Sequence, residues 1–228
     1  MNDIWNNPLF GIVLTIGAFE IGRAVAARVK HPIANPLLIA MLICFGWLKL
    51  FRIPMDSYMK GARFIEAFLI PSTAVLGLSV YRQRKILKEQ FFPILTGCFV
   101  GSLISMGSTV ILCRMLALNS GILHSLLPKS VTTAIALDLS SQMGGVKALT
   151  IMAVILCGVG GAILHPLVIR FLKLSDPVAI GVAFGTASHA VGTARALEMG
   201  EVEGAVSGVA MGVAGICTVV IALLVQML

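Results

Sequence analysis

The sequence predicts an all-α polytopic membrane protein with seven or eight membrane segments, two or three of them discontinuous. Three observations predict it. Of 228 residues, 58% are hydrophobic and only 12% charged, where a soluble domain carries about 25% charged residues. Mean hydropathy is +0.99, and the apolar residues fall in runs comparable to the roughly 20 residues that a spanning helix needs. Most basic residues cluster between those runs, which is how cytoplasmic loops look. No soluble catalytic domain or nucleic-acid module fits in what remains, so the net charge of +7 points to membrane topology and to no nucleic-acid partner. The chain reads as a single integral membrane domain, 1–228, with a first half, 1–120, and a motif-bearing second half, 121–228.

The first span runs from about Leu9 to Ala27. No Lys or Arg precedes it, so it reads as a retained helix rather than a signal peptide. The second, Pro36 to Leu50, is short for a bilayer. The third, Gly61 to Tyr81, contains Arg63, Glu66 and, near its middle, Pro71; proline removes a helical hydrogen bond, so a helix break is expected there. Next comes YRQRKILKEQ, whose Arg82, Arg84, Lys85 and Lys88 form the strongest positive-inside signal and place this loop in the cytoplasm. After three crossings the N-terminus then lies outside, as does the loop around Lys49, Arg52 and Lys60, against the rule. In the fourth span, Phe91 to Leu118, Gly97, Gly101 and Ser105 recur every four residues, a spacing that lets helices approach closely in lipid.

Leu123 to Met143 is apolar but interrupted by Pro128, Lys129, hydroxyl residues and Asp138. Leu149 to Leu172 is an ordinary span. Pro177 to Met199 carries the polar run GTASHAVGTARALE, and Gly204 to Leu228 closes the chain without a charge. Gly200, Gly204, Gly208 and Gly212 form a four-residue ladder that reads as a helix-packing face and offers a surface for a homodimer. PSTAV at Pro71 and PKSVTTA at Pro128 share a proline followed by hydroxyl residues, the pattern of paired interrupted segments in two transporter halves.

Two constellations can carry chemistry. A half-helix starting at Pro128 puts Lys129, Thr132 and Thr133 on one face; with Ser130 they form a cradle for a small carboxylate anion, aided by the positive end of the helix. The plainer alternative has Lys129 snorkelling to the interface. In the second constellation Thr186, His189 and Thr193 line up at intervals of three and four beside Ser188, with Gly185 and Gly192 allowing a break. His189 can bind an anion or relay a proton, or serve as a hydrogen-bonded structural residue. Arg195 either contacts substrate or pairs with Glu198, and Glu20 with Arg23 and Arg63 with Glu66 have the same pairing distance. Asp138, Glu198 and Glu66 are candidate proton or counter-ion groups. The five cysteines stand singly without metal spacing, and no HExxH, GxSxG or P-loop occurs. The expectation is therefore no catalytic residue, no metal, no cofactor and no enzymatic activity.

LPKSVTTAIALDLSSQMGG, GGAILHPLV and GTASHAVGTARALEMGEVEGAVSGVAMGVAG closely resemble the LrgB/CidB family of membrane proteins, and the likeness extends back to NPLLIAM at Asn35. Ala134 departs from it, standing where many members have proline after the paired threonines. The resemblance implies a bacterial cytoplasmic-membrane protein and two activities. One is carriage of a small monocarboxylate of the glycolate, glycerate, lactate or pyruvate type. The other is regulation of a holin-like complex that controls murein hydrolase export and autolysis, with a small LrgA/CidA-type membrane protein as partner. Broken helices, a buried lysine and a histidine among hydroxyls favour carriage as the leading expectation, with substrate held at mid-membrane by Lys129, Ser130, Thr132 and Thr133 from one side and Thr186, Ser188, His189 and Thr193 from the other.

Overall fold

A computed structural model describes residues 5–29 and 35–226. Every regular element among them is helical. In chain order the helices are α1 (Pro8–Val29), α2 (Pro36–Leu50), α3 (Met55–Glu66), α4 (Leu69–Arg82), α5 (Arg84–Glu89), α6 (Phe91–Met115), α7 (Ser120–Leu126), α8 (Thr133–Gln142), α9 (Lys147–Leu172), α10 (Pro177–Met199) and α11 (Glu201–Gln226). Four stretches are long and apolar enough to cross a membrane: Pro8–Val29, Phe91–Met115, Lys147–Leu172 and Glu201–Leu224. Their outward faces carry exposed large side chains such as Leu9, Val13, Phe92, Leu156 and Phe171, which lipid covers at no cost.

The chain divides into two compact units, Met1–Val75 and Leu76–Leu228, the boundary falling within α4. In the first, α1 packs on α2 and α3. Close approach depends on glycine: a Cβ on Gly22 would stand 2.5 Å from the Pro36 carbonyl oxygen, and Gly11 and Gly61 oppose each other across α1 and α3. Thr15 and Tyr58 share a 2.8 Å hydroxyl bond across the same contact. α2 starts where Asn35 caps it, its side-chain oxygen accepting from the amides of Leu37 and Leu38, with Pro36 in the first turn.

The expected third span is two helices. α3 carries Asp56, Lys60, Arg63 and Glu66 in 12 residues, too polar for a lipid-spanning helix. The interruption falls at Ala67 and Phe68, not at Pro71. Pro71 lies in the first turn of α4, where its missing N–H has no helical acceptor to lose. PSTAV is thus helical while PKSVTTA is a turn entering α8, so the two stretches have no common local structure. The basic stretch expected as a loop contains the short helix α5.

In the second unit α10 and α11 pack most extensively, flanked by α6 and α9. α6 shows the expected small-residue face: a Cβ on Gly97 would stand 2.9 Å from Val182, and one on Gly101 2.6 Å from Thr186. A second α6 stripe meets α11, where the Cys98 thiol donates to the Ala210 carbonyl and the Ser102 hydroxyl to that of Ala214. The glycine ladder is not the main packing face. Gly204 contacts Leu197, but Gly212 faces open space, and it is Gly181 and Gly185 of α10 that abut α11 at Val206 and Ser207.

Candidate functional site

Two interruptions lie in the second unit. The first separates α7 from α8. α7 is capped by the Asn119 side chain on the Ile122 amide. Residues 128–132 then form a turn, and α8 begins at Thr133 with Thr132 as an extended N-cap that makes no side-chain cap bond. This corrects the expected half-helix from Pro128. Pro128 lies in the turn, so Lys129, Thr132 and Thr133 do not share one helical face. Lys129 and Thr132 are half-buried, Ser130 is buried, and Thr133 and Asp138 are exposed.

The Lys129 ammonium turns onto α6. It donates to the Thr109 hydroxyl at 2.6 Å and to both the hydroxyl and the carbonyl of Ser105 at 3.3 Å. An ammonium has three donors, and three protein oxygens meet them. Ser130 bonds the Ser105 hydroxyl. Cys157 donates to the Ala187 carbonyl of α10 at 3.3 Å. Ser105 thus gathers Lys129 and Ser130 on α6, while Cys157 of α9 reaches the second interruption.

That second interruption is at His189, where φ is 41° and ψ −134° inside an otherwise helical segment. A non-glycine residue rarely adopts positive φ. Gly185 and Gly192, the expected break points, are helical; the break lies between them. Their role is proximity: a Cβ on Gly192 would stand 2.5 Å from the Phe184 carbonyl oxygen, and one on Gly185 would strike the Ser207 carbonyl.

The break disperses the side chains that helical spacing lined up. Thr186 donates to Cys98 of α6, the His189 Nε2 lies 3.0 Å from the Val154 carbonyl oxygen of α9, and Thr193 bonds the Ser207 hydroxyl of α11 at 2.9 Å. All three are buried. Each ties the interrupted segment to a different helix, as backbone and side-chain polar groups in lipid must be satisfied internally. Arg195 pairs with Glu198 and both are exposed. Glu20 pairs with Arg23, whereas among the described residues neither Arg63 nor Glu66 forms an ion pair.

Spacing missed Thr109, although it continues the Gly97, Gly101, Ser105 stripe by one turn, and it missed Cys157, whose partner belongs to another segment. It also passed over His165. Among the described residues, the buried side-chain atoms left without a hydrogen-bond partner are His165 Nδ1 and Ser188 Oγ. Both border Gly161, and Ser188 directly precedes the His189 break.

Spanning helices, lipid-facing apolar surfaces and an internally bonded polar centre define an integral membrane protein of α-helical type. Within that class the chain belongs to the LrgB-like family, whose model matches residues 15–228. It is 36% identical over 216 residues to the antiholin-like protein LrgB of Bacillus subtilis (strain 168), covering 94% of each chain. It is likewise 36% identical over 215 residues to the antiholin-like protein LrgB of Bacillus mycoides (strain KBAB4), again over 94% of each. No solved structure matches.

Proposed function

We propose that this chain is the LrgB-type membrane component of a holin-like system and acts as an antiholin-like regulator of lysis in a bacterial cytoplasmic membrane. Kinship over 94% of the chain with proteins named antiholin-like carries this reading. The polar centre is compatible with it, because every Lys129 donor already has a protein acceptor, as in a stably folded regulatory subunit. A small LrgA/CidA-type membrane protein is the proposed partner. The test is complementation: in a bacterial host lacking its own LrgB-family gene, expression of this chain returns lysis after the onset of stationary phase to the parental rate. Under this reading, Lys129→Ala preserves that effect if it inserts and folds.

One observation favours a second reading, binding and carriage of a small monocarboxylate. Among the described residues no carboxylate stands within ion-pair distance of Lys129, so the positive charge is balanced by neutral oxygens alone. An unpaired intramembrane cation is expensive and usually functional. A substrate carboxylate would displace the longer Ser105 hydroxyl contact and meet the uncapped start of α8. Uptake of glycolate, lactate or pyruvate into proteoliposomes, lost in Lys129→Ala, supports this reading; no uptake of any of them, with or without a proton gradient and an LrgA-type partner, sets it aside.

A further inference from the structure

Arg84 and Lys88 lie one turn apart on α5, and both line an open groove of ≈ 600 Å³ that continues past Leu87 to Ile94 of α6 and to Val209 and Val213 of α11. The Arg84 guanidinium is held over the Tyr81 ring at 4.4 Å and donates one bond to the Tyr81 carbonyl at 3.1 Å. Its remaining donors stay available, since arginine has five. Around them, residues 82–89 hold four basic side chains, Arg82, Arg84, Lys85 and Lys88, against the single acid Glu89. Neither Arg84 nor Lys88 forms an ion pair with a described residue. The groove thus joins a concentrated positive end to an apolar floor built from two helices of membrane-crossing length.

We propose that this groove binds one anionic glycerophospholipid, its phosphate held by Arg84 and Lys88 and an acyl chain lying along Leu87, Ile94, Val209 and Val213. Charge complementarity selects the occupant. Basic residues next to a spanning helix attract anionic headgroups, a neutral apolar helix would leave both cations without a partner, and a free phosphate would leave the apolar floor uncovered. The Tyr81 ring and the edge-on pair Phe91–Phe92, with centroids 5.6 Å apart, provide the aromatic side chains that favour the headgroup level.

The experiment uses the full chain in neutral detergent and reads retained lipid by native mass spectrometry. The probes are phosphatidylglycerol, phosphatidylcholine with the same acyl chains, and glycerol 3-phosphate. One retained phosphatidylglycerol, with phosphatidylcholine and glycerol 3-phosphate lost, is the expected result. Arg84→Gln with Lys88→Gln weakens retention roughly 30-fold, the factor expected for two surface cations, whereas Arg63→Gln leaves it unchanged. Because Arg84 also braces Tyr81, Val213→Trp provides an independent arm that blocks the acyl chain and spares the cations; it abolishes retention outright. Equal retention of phosphatidylcholine, retention of glycerol 3-phosphate alone, or phosphatidylglycerol bound undiminished by the Val213→Trp variant overturns the proposal.

Discussion

His189 holds a backbone conformation, φ 41° and ψ −134°, of a kind that costs a non-glycine residue about 1–3 kcal/mol. Alanine and glycine at this position both lose the bond to the Val154 carbonyl, but only glycine relieves the backbone. His189→Gly is therefore more stable than His189→Ala by about 1 kcal/mol, measurable by thermal unfolding in detergent. Ser188→Ala, by contrast, stabilises by about 1 kcal/mol, because it removes a buried hydroxyl that has no protein partner. The reverse holds at its neighbour: Gly161→Ala places a methyl on Ser188 and destabilises by about 1–3 kcal/mol, and Ser188→Gly recovers part of the loss. The polarity of this stretch was legible in the sequence, since Thr186, Ser188, His189 and Thr193 all proved buried. Their directions were not, because helical spacing presumes an unbroken helix and a positive φ at histidine leaves no trace in periodicity.

α10 meets α11 through its own glycines. Gly185→Leu forces the side chain against the Ser207 carbonyl and Ala210, an overpacking of about 1–3 kcal/mol or more. The variant is expected to elute as aggregate on size exclusion after detergent extraction. Gly212→Leu, facing open space, elutes as the wild type does. The glycine ladder misled because a four-residue interval marks a stripe without saying whether that stripe or its partner's is the buried one. Other elements were legible to the residue: α2 and α10 begin at Pro36 and Pro177, where Asn35 and Asp176 cap the first turn. Gly61 to Tyr81 reads as one interrupted span because its apolar average outweighs Arg63 and Glu66 and leaves out Asp56 and Lys60, the other charged residues of α3, and the proline attracts a break that Ala67 and Phe68 in fact provide.

The molecule's family was legible from three motifs in the second half, and the match over residues 15–228 extends that likeness to nearly all of the chain. Its role was less so. A lysine and a histidine inside lipid look poised for substrate, which favours carriage from sequence alone; the folded chain shows both bonded to protein, Lys129 to Ser105 and Thr109 and His189 to Val154. Spacing cannot foresee those bonds, which join segments more than 19 residues apart. The regulatory account places the function in the assembled, membrane-inserted whole. The most direct measurement is the stationary-phase lysis rate of a bacterial strain deleted for its own LrgB-family gene and carrying this chain on a plasmid. The account predicts that the wild-type chain and a folded Lys129→Ala variant both restore the parental rate; a wild-type chain that is inserted and folded but leaves lysis indistinguishable from the empty vector contradicts it.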